Sequence, residues 1–247
     1  MKNISLTIEY LGTNYCGFQR QKNGLSIQEV LEDAILQATG EKVTLTPSGR
    51  TDAGVHALGQ VANFLFAGSI PTDKLKIVIN LCLPADIRVV SAQEKPLDFN
   101  ARKSAKRKSY LYKIFTGQDL SVFDQGRLLH YPRQLDLTTL DKCARAVVGE
   151  HNFSAYVASG ASTSTTTRTI YDAQFERNGD YLTFRITGNG FLYNMVRILV
   201  GTMLEVGCGK RSLESFVCSL SGGKRADTGR TAKACGLYLE NVSYCGG

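Results

Sequence analysis

No apolar run in this sequence approaches the roughly 20 residues that a membrane-spanning helix requires, and the polar start Met1-Lys2-Asn3 lacks the hydrophobic stretch of a signal peptide. A cytoplasmic protein without membrane contact is expected. The seven cysteines, at 16, 82, 143, 208, 218, 235 and 245, are odd in number, scattered and free of any Cys-x-x-Cys pair. They read as reduced thiols, and neither a disulfide framework nor a zinc site is expected. Three histidines, His56, His130 and His151, include no His-x-x-x-His pair, which argues against a transition-metal centre. The phosphate-binding pattern Gly-x-x-x-x-Gly-Lys-Ser/Thr is missing. Gly188-Asn189-Gly190 lacks the third glycine of a dinucleotide fingerprint, because Tyr193 stands in its place. The chemistry is therefore expected to need no metal and no cofactor.

What is present is an ordinary globular composition, 43% hydrophobic and 21% charged, over 247 residues, with a net charge of +7. That charge favours a polyanionic partner. Arg102, Lys103, Lys106, Arg107, Lys108 and Lys113 have no acid between them, and Tyr110 and Tyr112 are interleaved. Cationic side chains for phosphates and aromatic faces for bases suit RNA with splayed nucleotides. Lys224, Arg225, Arg230 and Lys233 form a second cluster. A single basic run would equally fit a solvated face; two clusters and the net charge favour nucleic acid.

Two halves share one plan. Residues 4–10 alternate as a strand, and Ser26-Ile27-Gln28-Glu29 is a capping box that opens a helix stopped by Gly40, with Ile27, Val30, Leu31, Ala34, Ile35 and Ala38 on its buried face. In the second half a strand over 108–115 is followed by a helix over about 138–148, with Leu140, Ala144 and Val147 inward and Gly149 as its stop. Gly40-Glu41 corresponds to Gly149-Glu150, and Arg50-Thr51 to Arg168-Thr169, so the pattern reads as an internal duplication. Further strands are expected at 60–66, 87–91, 170–177, 181–187 and 237–244, and short helices at 74–81 and 213–220. The fold class is α+β with mainly antiparallel sheets and helices on one face, in halves spanning 1–105 and 106–247. The Ser/Thr-rich stretch 159–167 reads as an exposed loop.

The helix expected at 195–206 is apolar nearly all round, so it is buried, yet it contains Arg197. A buried guanidinium needs a partner. Glu205 stands eight residues on, roughly 12 Å along the axis, too far to serve. Gly201, one turn away on the same face, leaves room for another segment, and a carboxylate on a distant glycine-flanked loop is a natural candidate. The alternative is an Arg that snorkels to solvent.

Such a loop is present. Ser48-Gly49-Arg50-Thr51-Asp52-Ala53-Gly54-Val55-His56-Ala57 sets one carboxylate, Asp52, between two glycines, flanked in sequence by Arg50 and His56. A carboxylate beside a cation stays ionised at neutral pH, which suits a nucleophile or an electrostatic stabiliser. Asp and Gly together are also plain turn chemistry, and that reading stands beside the catalytic one.

With Tyr15-Cys16-Gly17-Phe18-Gln19-Arg20-Gln21 upstream of it, this loop resembles that of the TruA family of tRNA pseudouridine synthases. The resemblance continues through Leu83-Pro84-Ala85-Asp86-Ile87, Phe99-Asn100-Ala101-Arg102, Tyr110-Leu111-Tyr112, the run from Gly188 to Arg197, and Gly236-Leu237-Tyr238-Leu239, in the family's order. It implies the pseudouridine synthase fold, two ferredoxin-like halves whose sheets meet at a central cleft, acting as a homodimer on tRNA. The implied reaction isomerises uridine to pseudouridine in the anticodon stem-loop, at nucleotides 38, 39 and 40: the bond from C1′ to N1 breaks, the base turns, and C1′ joins C5. It further implies that Asp52 initiates glycosidic cleavage, that Tyr110 stacks on the target base, that Arg197 pairs with Asp52 and that Arg50 helps hold the flipped nucleotide. Arg102, Lys106 and Lys108 are the expected RNA contacts. Asn100 stands where the family commonly has histidine, Lys233 where it has proline, and Cys16 at a variable place. Two other readings are a catalytically silent RNA-binding protein and a hydrolase that pairs Asp52 with a second carboxylate.

Overall fold

The computed structural model describes residues 1–22, 24–158 and 165–244. In chain order the elements are β1 (Lys2–Tyr10), α1 (Ile27–Thr39), β2 (Thr46–Pro47), β3 (His56–Phe66), α2 (Thr72–Cys82), β4 (Ile87–Lys95), β5 (Arg107–Phe115), β6 (Leu129–His130), α3 (Leu137–Val147), β7 (Gly149–Asn152), β8 (Thr167–Asn178), β9 (Tyr181–Gly188), α4 (Met195–Gly207), α5 (Leu213–Ser219) and β10 (Leu237–Ser243). This is an α+β protein with mainly antiparallel pairing. Its contacts divide it into two compact units: Met1–Lys106 with the segment from Tyr238 onward, and Arg107–Leu237. The sequence places that last segment in the second half; the structure puts it in the first unit, where Tyr238 and Leu239 run parallel to His56 and Ala57.

In the first unit β1 lies between β4 and β3, antiparallel to both, and β2 pairs with the outer part of β3. Ile4, Leu6, Ile8 and Tyr10 alternate onto one buried face of β1, but Asn3 and Ser5 are buried too. Asn3 explains this: its amide donates to the carbonyls of Pro96 (3.0 Å) and Phe99 (2.8 Å), and Asn63 donates to its oxygen at 2.9 Å, so the segment after β4 covers the opposite face. Helix α1 begins with the Ser26 half of the expected box, and of its expected buried face Val30 and Ala38 are only half-buried. Ser26 Oγ accepts from the Glu29 N–H at 3.2 Å, and Gly40 closes the helix at φ 75° with its N–H on Leu36 O, 2.8 Å. Ile27, Leu31 and Ile35 are completely buried, each contributing about 1.5–3 kcal/mol by burial.

In the second unit β5, β9, β8 and β7 follow one another with antiparallel pairing, and β6 adds a short parallel contact to β5. Helix α3 packs on β8 and touches α4 and α5. Its Leu140, Ala144 and Val147 are buried as the periodicity predicts, and Asp136 caps it, accepting from Thr138 N at 3.0 Å. Its end differs from expectation. Val148 is the extended C-cap, and Gly149, at φ 113°, opens strand β7 rather than closing the helix. The proposed equivalence of Arg50-Thr51 with Arg168-Thr169 also fails locally, since Arg168 and Thr169 lie inside β8 whereas Arg50 and Thr51 precede β3. Helix α4 is buried at all positions except Arg197 and Glu205. Of the stretch 159–167, residues 159–164 lie outside the described residues, and Thr167 already belongs to β8.

Candidate active site

The Asp52 loop is built by two segments of the first unit that approach backbone to backbone. Ser48 anchors its start, its N–H on Val61 O (2.7 Å) and its hydroxyl on Gln60 Oε1 (2.6 Å), while Gln60 donates to Gly49 O at 2.9 Å. Thr51 O accepts from Phe18 N at 3.2 Å, and its hydroxyl shares a hydrogen bond of 2.8 Å with Tyr10. The turn closes where Val55 N donates to Asp52 O at 3.1 Å, with Gly54 at φ 77°. Two glycines of the upstream segment make the approach possible. A Cβ on Gly12 would stand 2.0 Å from Val55 O, and one on Gly17, itself at φ 108°, would stand 2.6 Å from Thr51 O. Burial, opposed by hydrogen bonds to Thr51 and Gln60, pushes the Tyr10 hydroxyl above its usual range, so it remains protonated near neutral pH. Asp52 itself is half-buried and Arg50 is exposed.

His56 has another place than its sequence position beside Asp52 suggests. It is completely buried, its Nδ1 accepts from Gly12 N at 3.0 Å, and its ring stacks on Tyr238, 4.6 Å between centroids. A neutral ring accepting at Nδ1 carries its proton on Nε2. His56 thus ties the glycine segment to the start of β3.

In the second unit Tyr110 lies on β5 opposite Ile186 of β9 and is only 9% exposed. Its ring packs in a T-shaped contact with Phe191, 5.1 Å between centroids. Arg197, half-buried on α4, donates from Nε to Ala232 O (2.8 Å) and from Nη1 to Asn194 Oδ1 (2.6 Å), and its carbonyl accepts from Ala232 N (3.0 Å). The room beside Gly201 is indeed used, but by the segment carrying Arg230: a Cβ there would stand 1.7 Å from Arg230 O. Glu205 meets Arg211 at 3.5 Å and accepts from Arg230 N at 3.0 Å. Tyr110 and Arg197 are therefore served by one short loop, through Phe191 and Asn194.

A family model described as tRNA pseudouridine synthase matches residues 6–102 and 143–245. A protein of Acetivibrio thermocellus named tRNA pseudouridine synthase A is 47% identical over 244 residues, which span 99% of this chain and 100% of that protein. Proteins of the same name from Caldicellulosiruptor saccharolyticus and Clostridium kluyveri are 44% and 43% identical over the same lengths. The chain belongs to the TruA family of tRNA pseudouridine synthases. The family model covers Asp52 and Arg197, while Tyr110 falls between its two matched segments.

Where this synthase departs from the family pattern, the local geometry accommodates the change. Lys233 has φ −59°, the value a proline ring would fix, and its carbonyl accepts from the Tyr112 hydroxyl at 2.6 Å. Asn100 Oδ1 accepts from the N–H groups of Arg102 and Lys103, both at 3.0 Å. Tyr112 is a correction to the stacking expectation. It shares its strand parity with Tyr110 but is completely buried, and burial drives its hydroxyl well above the usual range, so it is a core residue.

The basic run divides between the units. Arg102, Lys103 and Lys106 belong to the first and are exposed; Arg107, Lys108 and Lys113 belong to the second and are half-buried. Arg107 lies over the ring of Tyr171, 4.6 Å from its centroid. In the second cluster Lys224, Arg230 and Lys233 are exposed, whereas Arg225 folds back onto Thr228 (2.8 Å) and Thr231 (3.0 Å). The six described cysteines are free, and burial pushes the Cys143 thiol up to about 12; Cys245 lies outside the described residues. Among the described residues no three His, Cys, Asp or Glu side chains gather as a metal site would need, and no helix is long and apolar enough to cross a membrane.

Proposed function

We propose that this chain isomerises uridine to pseudouridine in the anticodon stem-loop of tRNA, at nucleotides 38, 39 and 40. The observation that carries the reading is whole-length kinship with proteins named tRNA pseudouridine synthase A, with the Asp52 loop complete within it. The target uridine leaves the stack, since N1 and C5 of its base cannot exchange places at C1′ within a paired helix. Asp52, on a loop fixed by Ser48, Thr51 and the glycine segment, initiates cleavage between C1′ and N1. Tyr110 lies against the freed base while it turns; C1′ then bonds to C5, the C5 proton passes to solvent and N1 takes one up. The guanidinium of Arg197 pairs with Asp52 and keeps it ionised, and Arg50 holds the flipped nucleotide. No net redox change accompanies the exchange of one carbon–nitrogen bond for one carbon–carbon bond.

Arg102, Lys106 and Lys108 neutralise tRNA phosphates. The enzyme works in the cytoplasm, where its substrate is, as a homodimer whose subunits jointly bind one tRNA.

The test is incubation of the purified protein with an unmodified tRNA transcript, followed by mapping of modified nucleotides. Pseudouridine at 38, 39 or 40 is expected. Binding without product would favour a silent RNA-binding protein, and release of free uracil a hydrolase.

A further inference from the structure

Helix α4 begins irregularly. Asn194, the residue before its first turn, has φ 61° and ψ 4°, and is the one non-glycine residue with positive φ among the described residues. Asparagine enters this left-handed region more readily than most L residues, yet it is seldom required there. An Asn before a helix ordinarily accepts from the second or third backbone N–H with its side-chain oxygen. Asn194 makes no such capping bond. Its Oδ1 is directed instead to Arg197 Nη1, at 2.6 Å.

The other side of the guanidinium is fixed as well. Arg197 Nε donates to Ala232 O at 2.8 Å, Ala232 N returns a bond to Arg197 O at 3.0 Å, and Gly201 lets the Arg230 backbone come close enough for both. Two acceptors from separate segments thus define the guanidinium plane. Both are neutral, so these two bonds orient the group without cancelling its charge.

We propose that Asn194 is a positioning residue for the isomerisation: together with the Ala232 carbonyl it aims Arg197, and the left-handed backbone and forgone cap of α4 are the consequence of that task. The inference rests on the reading that Arg197 serves Asp52.

Three variants test it by kinetics on unmodified tRNA across pH. Asn194→Gly retains the left-handed backbone and removes the acceptor. Its melting temperature and KM should stay near wild type while kcat falls about tenfold, the effect of losing one hydrogen bond to a charged group. Asn194→Asp retains an acceptor but sets a negative charge against the guanidinium. That weakens the hold on ionised Asp52 and moves the acid limb of kcat to higher pH. A role confined to helix capping would change the melting temperature and leave the acid limb in place. Wild-type kcat in Asn194→Gly together with an unmoved acid limb in Asn194→Asp overturns the proposal. Arg197→Gln separates the two levels: if it retains wild-type kcat, the reading of Arg197 itself fails; if it is impaired while both Asn194 variants behave as wild type, only the role of Asn194 fails.

Discussion

Phe191 and Tyr110 form a T-shaped pair, with ring centroids 5.1 Å apart and planes at 83°. Such an edge contact is worth about 0.5–1.5 kcal/mol beyond burial, and it fixes the rotation of the tyrosine ring. Gly188 holds the loop close, since a Cβ there would meet Thr169 O at 3.0 Å and the Phe191 ring at 3.3 Å. Tyr110 is thus held in place by contacts within the protein itself. Phe191→Ala should lower kcat about tenfold with little change in tRNA affinity, and Phe191→Leu should do less. Single-turnover rates beside binding titrations decide it; an unchanged rate would mean that Tyr110 is set by other contacts.

Two glycines of the first unit make opposite predictions. A Cβ on Gly12 would stand 2.0 Å from Val55 O, so Gly12→Ala must displace the Asp52 loop and strain the Gly12–His56 bond, costing about 1–3 kcal/mol or more. Gly40, at φ 75°, has nothing within 4 Å of an added Cβ. Gly40→Ala should cost about 1–2 kcal/mol through its left-handed backbone alone. Denaturant melts paired with activity per folded molecule separate them: Gly12→Ala loses activity and Gly40→Ala retains it.

Asp136 gives a pH test of stability. Its carboxyl is held below the usual range chiefly by the Thr139 hydroxyl, with further bonds from the Thr139 and Thr138 N–H groups and attraction from Lys142 outweighing desolvation. A depressed carboxyl contributes stability that is present above its unfolded-state value and lost as pH falls through its folded-state value. The melting-temperature difference between wild type and Asp136→Asn should be constant near neutral pH and shrink below the ordinary carboxylate range. A difference independent of pH would show that the charge plays no part.

The helices were largely legible in the sequence because their signals are local. Ser26 and Gly40 bound α1, and the apolar run from Met195 announces the burial of α4. What escaped were relations set by distant chain. Parallel pairing of Tyr238 with His56 assigns the final strand to the first unit, and no periodicity encodes a pairing across that separation. Tyr112 and Tyr110 are alike in sequence context, and only packing beneath Lys233 makes one of them wholly core. Arg197 was conspicuous as a cation in an apolar helix, whereas its acceptors Asn194 and Ala232 carry no signature of that role.

For the basic run, Lys106→Ala with Lys108→Ala should weaken tRNA binding and reduce the slope of log affinity against log salt by about one for each phosphate no longer neutralised. Affinity measured at several salt concentrations checks this. An unchanged slope would move the RNA path away from these residues.

The most direct measurement is tritium release from tRNA carrying uridine labelled at C5, because formation of the bond between C1′ and C5 expels the label from that carbon. The wild-type protein should release tritium in proportion to pseudouridine formed, and Asp52→Asn should bind the same tRNA with similar affinity and release none. Tritium release by Asp52→Asn at the wild-type rate would contradict the assignment of Asp52 to the reaction.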